Sequence, residues 1–444
     1  MSTKIEENKV VTRFAPSPTG HFHLGGVRSA LYNYLFARQK SGIYILRSED
    51  TDKERSRKEY EDGFVELFDW LGLKPDFFFR QSERTEIYKK YLEKMILDGF
   101  AYISKEEVKE EGQRSEVIRF RNPNKKITFN DIVLGEITFD TSDLKDFVIA
   151  RSLTEPLYHL TVVVDDFEMK ISHVIRGQEH IANTPRQLLI QEAIGATRPF
   201  YAHMPLILGK DRAKLSKRDP EVIPALEYRS LGYLPGAIIN FMALIGWNPG
   251  GEREVFTLHE LIEKFDLNKI QKGGGIFNSE KLDWLNKEHI KLLPKAEIEK
   301  NILEWLPNGM KNPKLVNLIF DRICKWSDVK DMADSGELDL FFKTPEYSKE
   351  KLLYKNITSE KIIQNIRLAI DAISVLSENE FSLENIKSVL MKIADGLESR
   401  GELLHPVRFA LSGKDKSPDP FTIISILGKE ESLKRLTNSL NLLS

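Results

Sequence analysis

One cysteine, Cys324, is all that the 444 residues contain, so a disulfide framework and any zinc site built from several cysteines are excluded. Neither common glycine fingerprint for phosphate, G-x-x-x-x-G-K-[ST] or G-x-G-x-x-G, occurs. No apolar run is long enough for a bilayer: the longest, Leu234 to Trp247, contains Asn240 and reads as a buried helix. The first ten residues, MSTKIEENKV, have no apolar signal-peptide core, which points to a cytoplasmic chain without a membrane partner. Charge of either sign is not in excess. The 65 basic and 67 acidic residues leave a net charge of −2, so a polyanion could be attracted only by basic residues clustered on one face. Internal repeats and low-complexity tracts are also missing.

What is there suits a soluble chain of two or more domains, with 41% hydrophobic and 30% charged residues. Lys9–Ala15 is β-branched and meets Pro16, which predicts a strand that stops there. Val27–Arg38 predicts a helix, Ile43–Ser48 a second strand, and Arg55–Leu71 an amphipathic helix closed by Gly72. This order implies a parallel sheet covered by helices. After the helix at Arg84–Gly99, the runs VIRF, KITFND and EITFD between Ala101 and about Thr154 suggest an α/β insertion. Strands are expected to return at Tyr158–Asp165 and Ser172–Ile175, followed by a helix at Pro185–Ile194. Beyond Arg218 strands are expected to vanish. Thr257 and Glu260 make a capping box, and Leu383, Ile386, Val389, Leu390 and Ile393 fall at helical spacing.

Two loops carry the chemistry. Residues 14–28, FAPSPTGHFHLGGVR, join the first strand to the first helix. That arrangement aims free N–H groups and a positive helix end at phosphate, and glycine lets the backbone approach it. By its residues alone the stretch reads equally well as a crowded structural turn. Residues 210–218, KDRAKLSKR, form a second, basic loop in which Lys214 and Lys217 could neutralise charge on a departing pyrophosphate. No Cys–His or Ser–His–Asp constellation competes with them.

The pair resembles the HIGH and KMSKS loops of class I aminoacyl-tRNA synthetases, as His23-Leu-Gly-Gly26 and Lys214-Leu-Ser-Lys-Arg218. More narrowly, RFAPSPTG, RSEDTD, QSERTEIY, YHLTVVVDD, HVIRGQEHIANTPRQ, YAHMPL, KLSKR, LGYLPGAIINFMALIGW and KLDWLN resemble, in that order, bacterial-type glutamyl-tRNA synthetases. The resemblance is tight over about residues 9 to 290 and looser over the helical tail. It implies a Rossmann-like catalytic domain split by an α/β insertion, then an all-α anticodon-binding region. The expected boundaries are 1–82 and 155–220 for the catalytic domain and 83–154 for an inserted acceptor-binding domain. A stem-contact helical domain at 221–300 and an anticodon region at 301–444 complete them.

The implied activity joins L-glutamate to ATP as an adenylate, then transfers it to the 3′ end of glutamate tRNA. Catalysis is assigned to His23, Lys214 and Lys217. ATP is assigned to Thr19, His23, Gly25, Gly26, Lys214, Leu215, Ser216 and Lys217. Gly26, where the motif ends in His elsewhere in the family, has only a backbone role, and His21 is placed outside the catalysis. Glutamate has two carboxylates and an ammonium, so its pocket should offer two arginines and an acid. Arg13, Arg176 and Glu49 fill those roles, with Tyr158, Ala15, Ser17 and Glu179 beside them. Asp50, Asp52 and Arg55 are read as structural. Mg²⁺ is expected with ATP. Because Tyr102-Ile-Ser104 stands where some members carry a Tyr-x-Cys-x-Cys run, no protein zinc site is expected.

Several alternatives share parts of the pattern. Glutaminyl-tRNA synthetase has both loops but a β-barrel anticodon half, and the glutamyl-queuosine enzyme lacks that half. Cofactor-synthesising nucleotidylyltransferases lack the Arg13, Glu49 and Arg176 set, and a non-catalytic RNA-binding protein would have lost the loops. Whether the enzyme, expected as a monomer, also loads glutamine tRNA, or is directed to it instead, stays open. So do the base-reading residues, for which Arg322, Lys325, Arg367, Arg400, Arg408 and Arg435 are basic candidates.

Overall fold

Pro16 and Pro18 cannot donate to a strand ladder, and the first strand ends just before them. The computed structural model describes residues 9–107, 115–215, 223–354 and 357–443. These divide into two compact units, 1–292 and 293–444.

The first unit begins β1 (Val11–Phe14), α1 (Leu24–Gln39), β2 (Ile43–Ser48), α2 (Lys58–Trp70), β3 (Phe77–Arg80) and α3 (Thr85–Leu97). Next come β4 (Ala101–Lys105), β5 (Glu116–Phe120), β6 (Lys126–Asp131), β7 (Gly135–Asp140), β8 (Phe147–Ser152) and β9 (Glu155–Pro156). Then follow α4 (Tyr158–Glu168), β10 (His173–Gly177), α5 (Thr184–Ile194), β11 (Phe200–Met204) and β12 (Ile207–Leu208). The unit closes with α6 (Glu227–Ser230), α7 (Pro235–Leu244), α8 (Leu258–Lys264), β13 (Gly275–Ile276) and α9 (Ser279–Lys291).

Seven strands form the main sheet in the order β3-β2-β1-β10-β11-β6-β7. All its pairings are parallel except the β6–β7 hairpin. From β1 the chain winds outward through β2 and β3. From β10 it winds the other way to β11. The two directions part between β1 and β10, and a crevice opens at the carboxyl ends of such strands. α1 is buried on nearly all sides, with core residues from α7, α8 and α9 in the same cluster. Its Tyr32 hydroxyl donates to the carbonyls of Ala243 and Ile245 at 3.0 Å each, tying the helix to the end of α7.

Two expectations change. Tyr158–Asp165 is helix α4 rather than a strand. The run Thr161-Val-Val-Val164 favours a strand locally, but residues Leu160 to Asp166 are all buried in a helix packed against α3, α5 and β8. A short apolar run buried on every side has no readable period, and packing overrides propensity. Strands also persist beyond Arg218: β13 pairs in parallel with β12. Within the stretch expected as an insertion, β4, β5, β8 and β9 make a separate four-stranded sheet, while β6 and β7 extend the main one.

The second unit is helical among the described residues: α10 (Lys295–Trp305), α11 (Val316–Arg322), α12 (Ser327–Asp334), α13 (Ser359–Ser374), α14 (Leu383–Ala394), α15 (Gly401–Ser412), α16 (Pro420–Leu427) and α17 (Lys429–Leu443). The apolar face of α14 predicted from spacing contributes Ile386 and Leu390 to one core with α13, α15, α16 and α17. Arg435 is buried and donates to the carbonyls of Leu340, Leu411 and Lys343 and to Glu431. It is an internal clamp, and no base can reach it. Arg367, in contrast, is exposed on α13.

Candidate active site

A cavity of about 380 Å³ opens at the carboxyl ends of β1 and β10. Arg13 lies near the end of β1, and the loop after the strand supplies Ala15, Ser17, Thr19, His23, Gly25 and Gly26. Glu49 follows β2, Tyr158 starts α4, Arg176 lies at the end of β10, and Glu179 comes just after it. Eleven of the fifteen residues assigned from the sequence therefore line one cavity. Lys214 and Leu215 do not line it. Lys214 is exposed on a tight turn, closed by Gly209 N–H donating to Ala213 O, that returns the chain alongside Leu208. Leu215 packs its side chain against the core. Ser216 and Lys217 lie outside the described residues.

The glycines differ in what they permit. A side chain on Gly26 would collide with the Phe22 ring, so its smallness is a packing requirement of the loop. Nothing lies within 4 Å of a Cβ built on Gly25, which borders the cavity instead. His21 is exposed, its ring edge-on to Tyr60 at 5.2 Å.

Arginines hold the cavity's floor in two different ways. Arg13 donates from Nε to Asp166 at 3.1 Å. Asp166 also accepts from Arg47 at 2.8 Å, and Arg47 reaches Glu49 at 3.2 Å and Asp165 at 3.6 Å. Asp165 takes Arg84 at 2.7 Å and the hydroxyl of Tyr88 at 2.9 Å. Three cations and three carboxylates balance in this buried cluster. Burial would raise the Asp166 carboxyl, but Arg13 and Arg47 outweigh it and hold the group below the usual aspartate range. Burial wins at Glu49 and pushes its carboxyl up in spite of Arg47.

Arg176 is different: it is buried and has only neutral partners. Its Nε donates to His203 Nε2 at 3.1 Å, Nη1 to Gln187 Oε1 at 2.7 Å and Nη2 to Thr184 Oγ1 at 2.8 Å. No carboxylate touches it among the described residues. A buried guanidinium left without a counter-ion on a cavity wall is a receptor for an anion. Its charged form is disfavoured by burial, which lowers its pKa.

Sequence reasoning missed His180, which lines the cavity with Nδ1 3.4 Å from the Tyr158 hydroxyl and a pKa lowered to about 4 by burial and by Arg176. It also missed Arg47, Asp165 and Asp166, although Arg47 begins RSEDTD and the aspartates end YHLTVVVDD. The residues expected to be structural are so: Asp52 pairs with Arg55 at 2.6 Å, and Asp50 accepts from the backbone and hydroxyl of Ser82. Among the described residues no cluster of three or more His, Cys, Asp or Glu side chains could hold a metal ion.

Residues 9–114 and 103–284 match the family model of tRNA synthetases class I (E and Q), catalytic domain, and residues 281–440 match an anticodon binding domain. The chain belongs to the class I aminoacyl-tRNA synthetases of this group. Within it, the chain is 40% identical to glutamate–tRNA ligase 1 of Petrotoga mobilis, covering 96% of this chain and 97% of the relative. It is 35% identical to the glutamate–tRNA ligase of Bacillus subtilis, over 97% and 99%. A glutamate tRNA ligase from Elizabethkingia meningosepticum, solved in complex with its amino acid, superposes with a TM-score of 0.86 at 32% identity, over 98% of this chain and all of that one.

Proposed function

We propose that this chain is a glutamate–tRNA ligase that activates L-glutamate with ATP and loads it onto glutamate tRNA, releasing AMP and pyrophosphate. The observation that carries the reading is Arg176, a buried cation on the cavity wall that no carboxylate touches among the described residues. Arg13 would take the substrate's second carboxylate, since its remaining nitrogens have no partner among the described residues. Glu49 faces the ammonium. Tyr158, Ala15, Ser17 and Glu179 complete the amino-acid pocket.

In the first step the substrate's α-carboxylate attacks the α-phosphorus of ATP in line, and pyrophosphate leaves. Placement and charge stabilisation supply the rate. Thr19, His23, Gly25 and Gly26 cradle ATP at the start of α1, and Lys214 and Lys217 close over the triphosphate with Leu215 and Ser216. Mg²⁺ would arrive on the ATP phosphates. In the second step the terminal tRNA hydroxyl attacks the activated carbonyl and AMP leaves. We assign residues 83–154 to the acceptor end, 221–300 to the stem and 301–444 to the anticodon. The enzyme is taken to work as a monomer in the cytoplasm.

Aminoacylation of purified glutamate and glutamine tRNAs with labelled glutamate tests the reading. Charging of neither would overturn it, and the second tRNA decides whether glutamine tRNA is also a substrate. Gly25 gives a narrower test. Alanine there meets no protein atom and suits a helix start, so G25A should keep the melting temperature while raising the KM for ATP about tenfold or more. An unchanged KM removes Gly25 from the nucleotide site.

The raised Glu49 pKa predicts a pH effect. Only the carboxylate attracts an ammonium, so kcat/KM for glutamate should fall on acidification at a pH above the ordinary glutamate value of ~4.3. A profile flat down to that value would free Glu49 from this role.

A further inference from the structure

Arg176 can serve an anionic substrate only if something fixes its guanidinium without cancelling its charge. The group in that position is His203, on β11, fully buried. Because a guanidinium has no acceptor, the Arg176 Nε–H must donate to His203 Nε2, which leaves the imidazole proton on Nδ1. That N–H donates to Asp131 Oδ2, with 2.6 Å from nitrogen to oxygen. Asp131, at the end of β6, is saturated: its carboxylate also accepts the backbone N–H groups of Val133, Leu134 and His203 at 3.0 to 3.2 Å. The carboxylate is therefore fixed from four directions. It sets the imidazole tautomer yet stays an imidazole's width away from Arg176.

We propose that His203, backed by Asp131, is a positioning residue that aims Arg176 at the substrate and, by offering an imidazole in place of a carboxylate, makes the site prefer a carboxylate over a carboxamide. The inference rests on the functional reading above. A direct Asp or Glu partner would neutralise Arg176, and a carboxamide would then lose less by comparison. With only neutral acceptors around it, the guanidinium gains most from an incoming anion. The arrangement also gives the β6–β7 hairpin, distant from the cavity in sequence, a part in amino-acid choice.

The test compares H203F, which has no acceptor, with H203Q, whose amide oxygen can accept from Nε. In glutamate-tRNA charging, H203F should raise the KM for glutamate about tenfold or more while the KM for ATP changes less than about twofold. Glutamine, as a competing amino acid, should gain on glutamate by a similar factor. H203Q should return the glutamate KM to within about threefold of wild type. Folding is checked by melting temperature, and H203L replaces H203F if the latter does not fold. A folded acceptor-free variant with a wild-type glutamate KM, or one whose KM values for glutamate and ATP rise together, overturns the inference. Wild-type charging in the same assay separates this from failure of the functional reading, which a wild-type protein unable to charge would signal.

Discussion

Arg176→Ala should lower kcat/KM for glutamate by about 10²- to 4 × 10³-fold, which corresponds to the 3–5 kcal/mol lost when one partner of a buried ion pair is removed. The size follows from the setting. In the free enzyme the guanidinium is held by His203, Gln187 and Thr184, all neutral, so its removal leaves polar groups but no stranded charge. Each of those groups would cost about 1–3 kcal/mol if left unsatisfied, a cost that water entering from the adjoining cavity offsets. With glutamate bound, the same change strands a carboxylate in a desolvated pocket. Activity should therefore fall far more than stability. R176K should fall nearly as far, because a lysine cannot hold three acceptors in a plane while facing the cavity. Steady-state aminoacylation beside a thermal melt reads both quantities. A loss below tenfold in R176A would move the substrate carboxylate elsewhere.

Arg47→Met is the second large effect, and there the loss is in stability. Arg47 is wholly buried and touches Asp166, Asp165 and Glu49. Without it two cations face three carboxylates. Asp166 keeps Arg13 and Asp165 keeps Arg84, but Glu49 keeps no cation in contact among the described residues. The expected cost is about 3–5 kcal/mol, a fall on the order of 10 °C in the midpoint of the unit that holds the sheet. The pH dependence gives a further check. A carboxyl whose folded pKa lies above its unfolded value favours the folded state below the unfolded pKa, and that advantage is lost as pH rises through the folded one. The R47M deficit should thus widen with rising pH across the raised Glu49 range. The double variant R47M/E49Q should recover part of the loss, since the sites share one network. A melt within about 2 °C of wild type would show that the cluster relaxes without Arg47.

Much of the catalytic half was legible because its signals are local. Pro16 and Pro18 stop β1, glycines and a helix start follow, and β2 and α2 repeat the pattern. Arg13, Arg176 and Glu49 were singled out through the resemblance, and each sits beside a strand end on the cavity wall. What defeated the sequence was burial and distance. The valine run of α4 looks like a strand until it is packed on every side. The pairing of Tyr201 with Asp131 joins residues that nothing local relates, so the reach of β6 into the main sheet could not be foreseen. The same step brings Asp131 to His203 and so to Arg176.

The amino-acid order alone settles the β1–α1–β2 frame and the loop that joins β1 to α1, because spacing, prolines and glycines act within a few residues. Which arginine meets a carboxylate and which meets only neutral partners depended on folding. Arg13 and Arg176 look alike along the chain. One meets Asp166 from α4 and the other meets His203 from β11, and a charge acquires its chemistry from the partner that packing brings to it.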